Sequence, residues 1–251
     1  AQSSGEVLMT IGGSPVEKDE LVYLLSKGKS NDNSTPGVSR EEFEENLELF
    51  VNYKLKVKEA EELDALAQKL NLKLAVYHNR RYDADFLTLQ KLITEDKIGA
   101  FLDIQISFER YRTTLSPKVH KELPTPGAGV LFDLGPHLVD QALLLSGMPT
   151  HIFADLRIIR KVSVVDDYFT LILYYPSHRI TLTSGMLFMT ESPGYKIYGT
   201  KGCFIKNRSD IQEADLIAGK KPNSPDWGAE ATEDYGTLYT DMNGIITNKV
   251  I

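Results

Sequence analysis

Asp133 and His137 are the two side chains of this sequence whose types and spacing point most directly to chemistry. They stand four residues apart around the predicted start of a helix, so both can point toward one pocket. An imidazole with a pKa near neutrality suits general-base catalysis. A second interpretation stays open from the residues alone, in which Asp133 caps the helix and His137 is a partly buried polar residue.

Four arginines, Arg80, Arg81, Arg110 and Arg112, are candidates to line a cleft and to donate hydrogen bonds to a polyol or an anion. The alternative is that they lie on the solvated surface, in salt bridges. Tyrosines in or beside predicted strands are candidates to stack on a sugar ring, although such residues more often pack in a core or an interface; they are Tyr111, Tyr168 and Tyr195.

Composition narrows the classes of partner. The sequence has 28 Lys and Arg against 35 Asp and Glu, a net charge of −7, which argues against a basic surface that binds nucleic acid. A single cysteine, Cys203, excludes an internal disulfide, and the remaining histidines lack metal-ligand spacing, so we predict no metal site. No apolar run approaches the roughly 18 residues of a membrane helix, so we predict no membrane span.

The N-terminal part reads as a short strand followed by helices. The run Val7–Ile11 is β-prone, and Ser14, Pro15 and Glu17 form a helix-start pattern. Apolar residues at steps of three and four predict a long amphipathic helix over residues 41–70. The run 72–77 then reads as a strand, and we predict that it pairs with Val7–Ile11, the strand-like run upstream, in the same chain or between chains.

Residues 83–95 and 136–146 read as helices and the remaining runs as strands, at 102–108, 151–159, 168–175, 179–188 and 195–206. Asn243 and Gly244 predict a two-residue hairpin turn. Consecutive strands with few helices between them predict an α+β fold: a large, open, mostly antiparallel sheet with helices on one face, preceded by a helical N-terminal arm.

Ordered motifs in this region resemble the Gfo/Idh/MocA oxidoreductases, in particular their scyllo-inositol dehydrogenase-like branch. The motifs are VYHNRRYDADF at 76–86, SFERYR at 107–112, GVLFDLGPHLVDQ at 129–141 and YGTKG at 198–202. The resemblance covers residues 62–251. It implies a sugar or inositol pocket in which His137 takes the substrate hydroxyl proton as hydride leaves and Asp133 orients it.

Complete members of that family use NAD(P), and this sequence lacks the parts that hold it. No G-x-G-x-x-G motif occurs, and neither does the family's Glu-Lys-Pro motif. We therefore expect the Rossmann domain to be missing, no cofactor-binding residues and no NAD(P) bound by this chain.

Residues 6–62, with VLMTIGG at 7–13 and LFVNYKLKVKEA at 49–60, resemble the N-terminal helical segment of exported SurA-type prolyl isomerases and chaperones. Two domains follow, 1–70 and 71–251. The resemblance and the start at Ala1 without Met indicate a periplasmic or envelope location, or a cytoplasmic one if the fusion is an artefact.

The leading hypothesis is a Gfo/Idh/MocA-type C-terminal domain that is inactive alone. The alternatives are a polyol dehydrogenase that uses a partner's nucleotide site and an envelope chaperone-like protein whose 41–70 helix binds clients. Apolar residues on both faces of the strands predict a dimer, or an assembly of dimers, through the open sheet face, with Leu173 and Leu182 pointing outward.

Overall fold

The computed structural model describes residues 7–11, 14–17, 58–75, 78–118, 121–124, 127–190, 192–224 and 227–251. The chain divides into two compact units, Ala1–Val76 and Tyr77–Ile251. In the first unit, strands β1 (Val7–Ile11) and β2 (Ser14–Glu17) form a two-stranded antiparallel sheet. Residues 58–69 form helix α1, while the first part of the predicted 41–70 helix lies outside the described residues.

Two predictions for this unit are wrong. Ser14 begins a strand and not a helix, because the segments on either side of the Gly12–Gly13 pair join as a hairpin, with Ile11 opposite Ser14. The predicted pairing within one chain is also wrong, because β1 has its partner close in sequence and does not pair with the run after α1, whose described residues 72–75 form no strand. Pairing between chains stays a prediction. The resemblance to SurA-type proteins stays a prediction.

The second unit contains the remaining elements. Its described helices are α2 (Ala84–Thr94), α3 (Val130–Asp133), α4 (Gly135–Ser146) and α5 (Ile211–Ile217), and a 3₁₀ turn covers Asn79–Tyr82. Its strands are β3 (Phe101–Glu109), β4 (His151–Arg157), β5 (Tyr168–Tyr174), β6 (Arg179–Gly185), β7 (Tyr195–Gly199), β8 (Gly202–Lys206), β9 (Thr237–Met242) and β10 (Ile245–Val250). No helix of the described residues is long and apolar enough to cross a membrane.

The eight strands form one open sheet in the order β10-β9-β8-β7-β3-β6-β5-β4. Every neighbouring pair is antiparallel except β3 and β6, which lie parallel at its centre. Apolar side chains of α2 and α4 pack with one face of the central strands, where Phe86, Leu138, Ile106, Phe169 and Leu182 are buried in one cluster. The large, open, mostly antiparallel sheet of the α+β prediction is confirmed.

Turn chemistry explains where two strands end. Asn243 (φ 58°) and Gly244 (φ 82°) join β9 to β10, as the sequence predicts for a type I′ hairpin. The predicted strand 195–206 is instead the hairpin β7–β8, with Thr200 and Lys201 at its turn.

Helix α5 was not predicted, and the Asp210 carboxylate caps it by accepting a hydrogen bond from the backbone N–H of Glu213.

The two faces of the sheet differ from the sequence prediction. Leu173 and Leu182 point into the helix-covered core and are 2% and 0% exposed, so their predicted outward orientation is wrong. Side chains alternate between the two faces along a strand, so the residues next to Leu173 and Leu182 lie on the opposite face. On that face Ile172 lies beside Thr181 and Phe153. That face also carries Tyr168, Thr170 and Tyr174 of β5, beside the exposed Phe153 of β4.

Candidate functional site

A cavity of about 430 Å³ opens in the second unit, beside the junction of α3 and α4. The connections that follow β3 and β4 supply much of the remaining lining, and the 3₁₀ turn, the segment after β6 and α5 each contribute one residue. Its lining is mainly polar and charged: Arg80, Arg110, Arg112, Ser116, Pro117, Lys118, Lys121, Glu122, Gly129, Val130, Asp133, Leu134, His137, Arg160, Asp166, Asp167, Met186 and Glu213. Both predicted catalytic residues, Asp133 and His137, therefore face one cavity.

Asp166 fixes the start of α3 and so the position of Asp133. Its backbone carbonyl accepts a hydrogen bond from Val130 N at 2.8 Å, and its carboxylate accepts one from Leu131 N at 2.8 Å. Gly129 precedes the helix at φ 87°, and a Cβ there would collide with the Asp166 carboxylate. Only glycine fits both the backbone angle and this close approach.

Asp133 ends α3, and its carboxylate pairs with the ammonium of Lys121. His137 lies in the first turn of α4, after Pro136, which suits that position because it has no N–H to satisfy. The Nδ1 atom of His137 is buried and has no hydrogen-bond partner among the described residues. The described residues therefore do not fix the tautomer of this ring through Nδ1.

Burial lowers the pKa of His137 below its usual 6.5, and the nearby charges of Arg80 and His78 lower it further, against the opposing effect of Asp133. The imidazole is therefore neutral at pH 7 and has a lone pair that can accept a proton. This is the protonation state that a general base needs.

Two of the predicted arginines line the cavity because of strand geometry. Beyond β3 the backbone continues beside residues 185–188, with Arg110 N bonded to Gly185 O and Arg112 N to Met186 O. Residues two apart in an extended segment point to the same side, so Arg110 and Arg112 both face the cavity. Tyr111 points the other way, is half-exposed and does not line the cavity.

Arg80 also lines the cavity, but acidic neighbours hold it: it pairs with Asp83, Asp210 and Glu213. Arg81 lies outside the cavity and makes a bidentate contact with Asp140, at 2.7 and 2.5 Å. Arg81 is therefore a salt-bridged arginine outside the cavity, whereas Arg80 both lines the cavity and forms salt bridges.

A buried polar network lies behind Arg80. Gln141 donates from Nε2 to the carbonyl of Arg80 at 2.9 Å, and its Oε1 accepts from the hydroxyl of Tyr195 at 3.1 Å and from Arg208 at 3.2 Å. The Asp85 carboxylate lies 3.5 Å from the same hydroxyl. Tyr195 is fully buried and cannot stack on a ligand, so that interpretation of Tyr195 is wrong.

Sequence reasoning missed a second buried cluster on the cavity wall. Arg160 is 5% exposed and donates to Asp167 at 2.8 Å, to Glu122 at 2.9 Å and to the carbonyl of Thr114 at 2.9 Å. The Asp166–Asp167 pair reads as a turn in the sequence, but both carboxylates serve as acceptors in the structure. The available signal was two acids directly before a strongly apolar strand, a place where side chains often position backbone amides.

Comparison with known proteins identifies the class of domain. Residues 86–205 match the family model of the GFO/IDH/MocA C-terminal domain. This part of the chain belongs to that family, as its motifs and its open sheet predict.

Individual relatives of the chain are also oxidoreductases. The chain is 40% identical over 182 residues to the scyllo-inositol 2-dehydrogenase (NADP(+)) IolW of Bacillus subtilis, covering 72% of this chain and 51% of that protein. It is 41% identical over 170 residues to the uncharacterized oxidoreductase YdgJ of Escherichia coli, covering 68% and 49%. The chain thus spans about half the length of the curated relatives it matches.

Solved structures show the same fold. The structure of yvaA from Bacillus subtilis is 37% identical with a TM-score of 0.69, over 77% of this chain and 54% of that one. An oxidoreductase from Bacillus cereus is 30% identical with a TM-score of 0.66, over 78% and 57%.

Proposed function

We propose that the second unit is the substrate-binding part of a Gfo/Idh/MocA-type oxidoreductase and that its cavity takes a polyhydroxylated substrate of the sugar or inositol type. The observation that carries the proposal is the neutral imidazole of His137, beside Asp133, in a cavity lined by hydrogen-bond donors. The similarity to a scyllo-inositol 2-dehydrogenase supports the substrate class.

In this proposal His137 accepts a hydrogen bond from a substrate hydroxyl, and it would take that proton if a nicotinamide cofactor held by a partner removed the hydride from the same carbon. Asp133 favours the imidazolium that forms, because its negative charge raises the pKa of His137 against the effect of burial. Arg110 and Arg112 orient the other substituents of the substrate by donating hydrogen bonds.

The described residues do not fit a dinucleotide. They form no β-α-β unit with a glycine-rich turn: β3 and β6 are their one parallel pair, and two further strands separate these in sequence. We therefore derive no step through NAD(P) and propose that this chain, by itself, does not oxidise a polyol.

Calorimetric titration of the full chain with scyllo-inositol tests the proposal. We expect saturable binding that falls at least tenfold in His137→Ala and is unchanged in His151→Ala, which replaces an exposed histidine on β4 away from the cavity. Fluorescence titration with NADPH should show no binding in the micromolar range. A chain that binds NADPH tightly, or that binds no polyol at tens of millimolar, would overturn the corresponding part of the proposal.

A further inference from the structure

Most charged side chains around the cavity are neutralised within the protein. The ion pairs are Arg160 with Asp167 and Glu122, Lys121 with Asp133, and Arg80 with Asp83, Asp210 and Glu213. Arg110, Arg112 and Lys118 differ, since none of their charged groups has an ion pair or a hydrogen bond with any described residue, and of these three Arg110 is the one that is not exposed. The remaining lining carboxylate, Asp166, accepts the N–H of Leu131, and burial raises its pKa.

Arg110 lies close to other arginine side chains. Its guanidinium carbon is 5.0 Å from the centre of the Phe108 ring, which Arg80 and Arg208 also approach, at 5.5 and 4.7 Å. Burial, together with the charges of Arg112 and Arg80, lowers the pKa of Arg110 against the opposing effect of Asp133. A partly buried cation without a counter-ion is unfavourable, and an anion that binds beside it removes that cost.

The positions of the two arginines suit recognition of one acidic group. Their i, i+2 spacing on extended backbone directs both side chains into the cavity that His137 also lines. Guanidinium groups bind carboxylates and phosphates through paired N–H donors. We propose that the preferred substrate is an anionic polyol, carrying a carboxylate or a phosphate ester on Arg110 and Arg112 and presenting a hydroxyl to His137.

This inference rests on the proposed function, because it specifies the substrate class of the same cavity. The test compares matched ligands on the full chain by calorimetry: glucuronate against its neutral methyl ester, and glucose 6-phosphate against glucose. We expect the acidic member of at least one pair to bind about tenfold more tightly or better, as charge-assisted hydrogen bonds require. The pair that shows the preference distinguishes a carboxylate from a phosphate ester.

The double variant Arg110→Gln, Arg112→Gln should lose that preference while keeping the weaker binding of the neutral member. Arg157→Gln is the matched control, because Arg157 is exposed on β4 and pairs with Asp155 away from the cavity. Equal binding within both pairs, or a preference that survives the double variant, would overturn the inference and leave the polyol pocket standing. Absence of binding by every ligand, scyllo-inositol included, would overturn the proposed function and the inference together.

Discussion

The carboxylate of Asp133 forms an ion pair with Lys121, a residue that sequence motifs did not single out. The pairing connects the residue that the family resemblance places beside His137 to the segment after β3. Asp133 thereby has three electrostatic neighbours, Lys121, Arg110 and His137, and its charge acts on each of them.

Asp133→Asn should lower the pKa of His137 further, because the Asp133 charge opposes the effects of burial, Arg80 and His78 on that group. NMR titration of the histidine ring protons measures the change. Asp155→Asn, which removes a carboxylate paired with Arg157 on β4, should leave the His137 pKa where it is. An unchanged pKa in Asp133→Asn would mean that Lys121 already cancels the charge of Asp133.

The free energy of unfolding of the second unit should fall as pH rises, because the carboxyl of Asp85 is buried. Burial raises the pKa of Asp85 to about 6, despite the nearby charge of Arg208, so the folded state holds its proton more tightly than the unfolded state. The stability that this group contributes is fully present below its unfolded pKa of 3.8 and is lost as pH rises through about 6, an effect of about 3 kcal/mol.

Asp85→Asn tests this assignment by removing the titration. In urea unfolding, the difference in free energy between variant and parent should shift in favour of the variant between pH 4 and pH 7. Asp96→Asn, an exposed surface substitution, is the control and should show no such trend. A difference that does not vary with pH would show that Asp85 is ionised at little cost in the fold.

Gly129→Ala should destabilise the second unit more than Gly147→Ala. Both glycines have positive φ, 87° and 69°, with extended ψ, so each substitution carries a similar backbone strain of about 1–3 kcal/mol. A Cβ at Gly147 meets nothing, whereas one at Gly129 collides with the Asp166 carboxylate and adds about 1–3 kcal/mol. Urea midpoints measure the difference, and equal midpoints would contradict the steric argument.

Association through the open sheet face remains a prediction, with new positions to test it. Ile172 lies on that face, between Phe153 and Thr181, among the tyrosine and arginine side chains of β4 and β5 that are common in interfaces. Ile172→Glu should convert a dimer to monomer in sedimentation velocity. Leu87→Glu places the same charge on an exposed site of α2 and should not change the assembly. A parent chain that is monomeric at tens of micromolar would rule out this dimer.

Local sequence signals predicted most elements of the second unit, since α2, α4 and the strands end near the predicted residues. The signals failed where a partner distant in sequence decides the outcome. Thr200 and Lys201 are not residue types that strongly favour a turn. Their turn is fixed instead by hydrogen bonds from their backbone N–H groups to the carbonyls of Ala100 and Ile98. Ser14 and Pro15 fit a helix start locally, but pairing with β1 outweighs that preference.

The lining of the cavity was predicted in part, while the roles of its residues stay predictions. Motifs indicated Asp133, His137 and the arginines near 110, because their spacing is local. Lys121 and Arg160 could not be found this way, since each acquires its role from a carboxylate that the fold brings close.

The parallel pair at the centre of the sheet affects how this domain is made. β3 lies between β6 and β7, so both of its neighbours are translated long after it. About 70 residues separate the end of β3 at Glu109 from the start of β6 at Arg179, and a ribosome adding about 5–20 residues per second needs on the order of ten seconds to cover them. During that interval β3 has no strand on either edge, so we expect its ladder of backbone hydrogen bonds to form only after residues 179–199 have been translated.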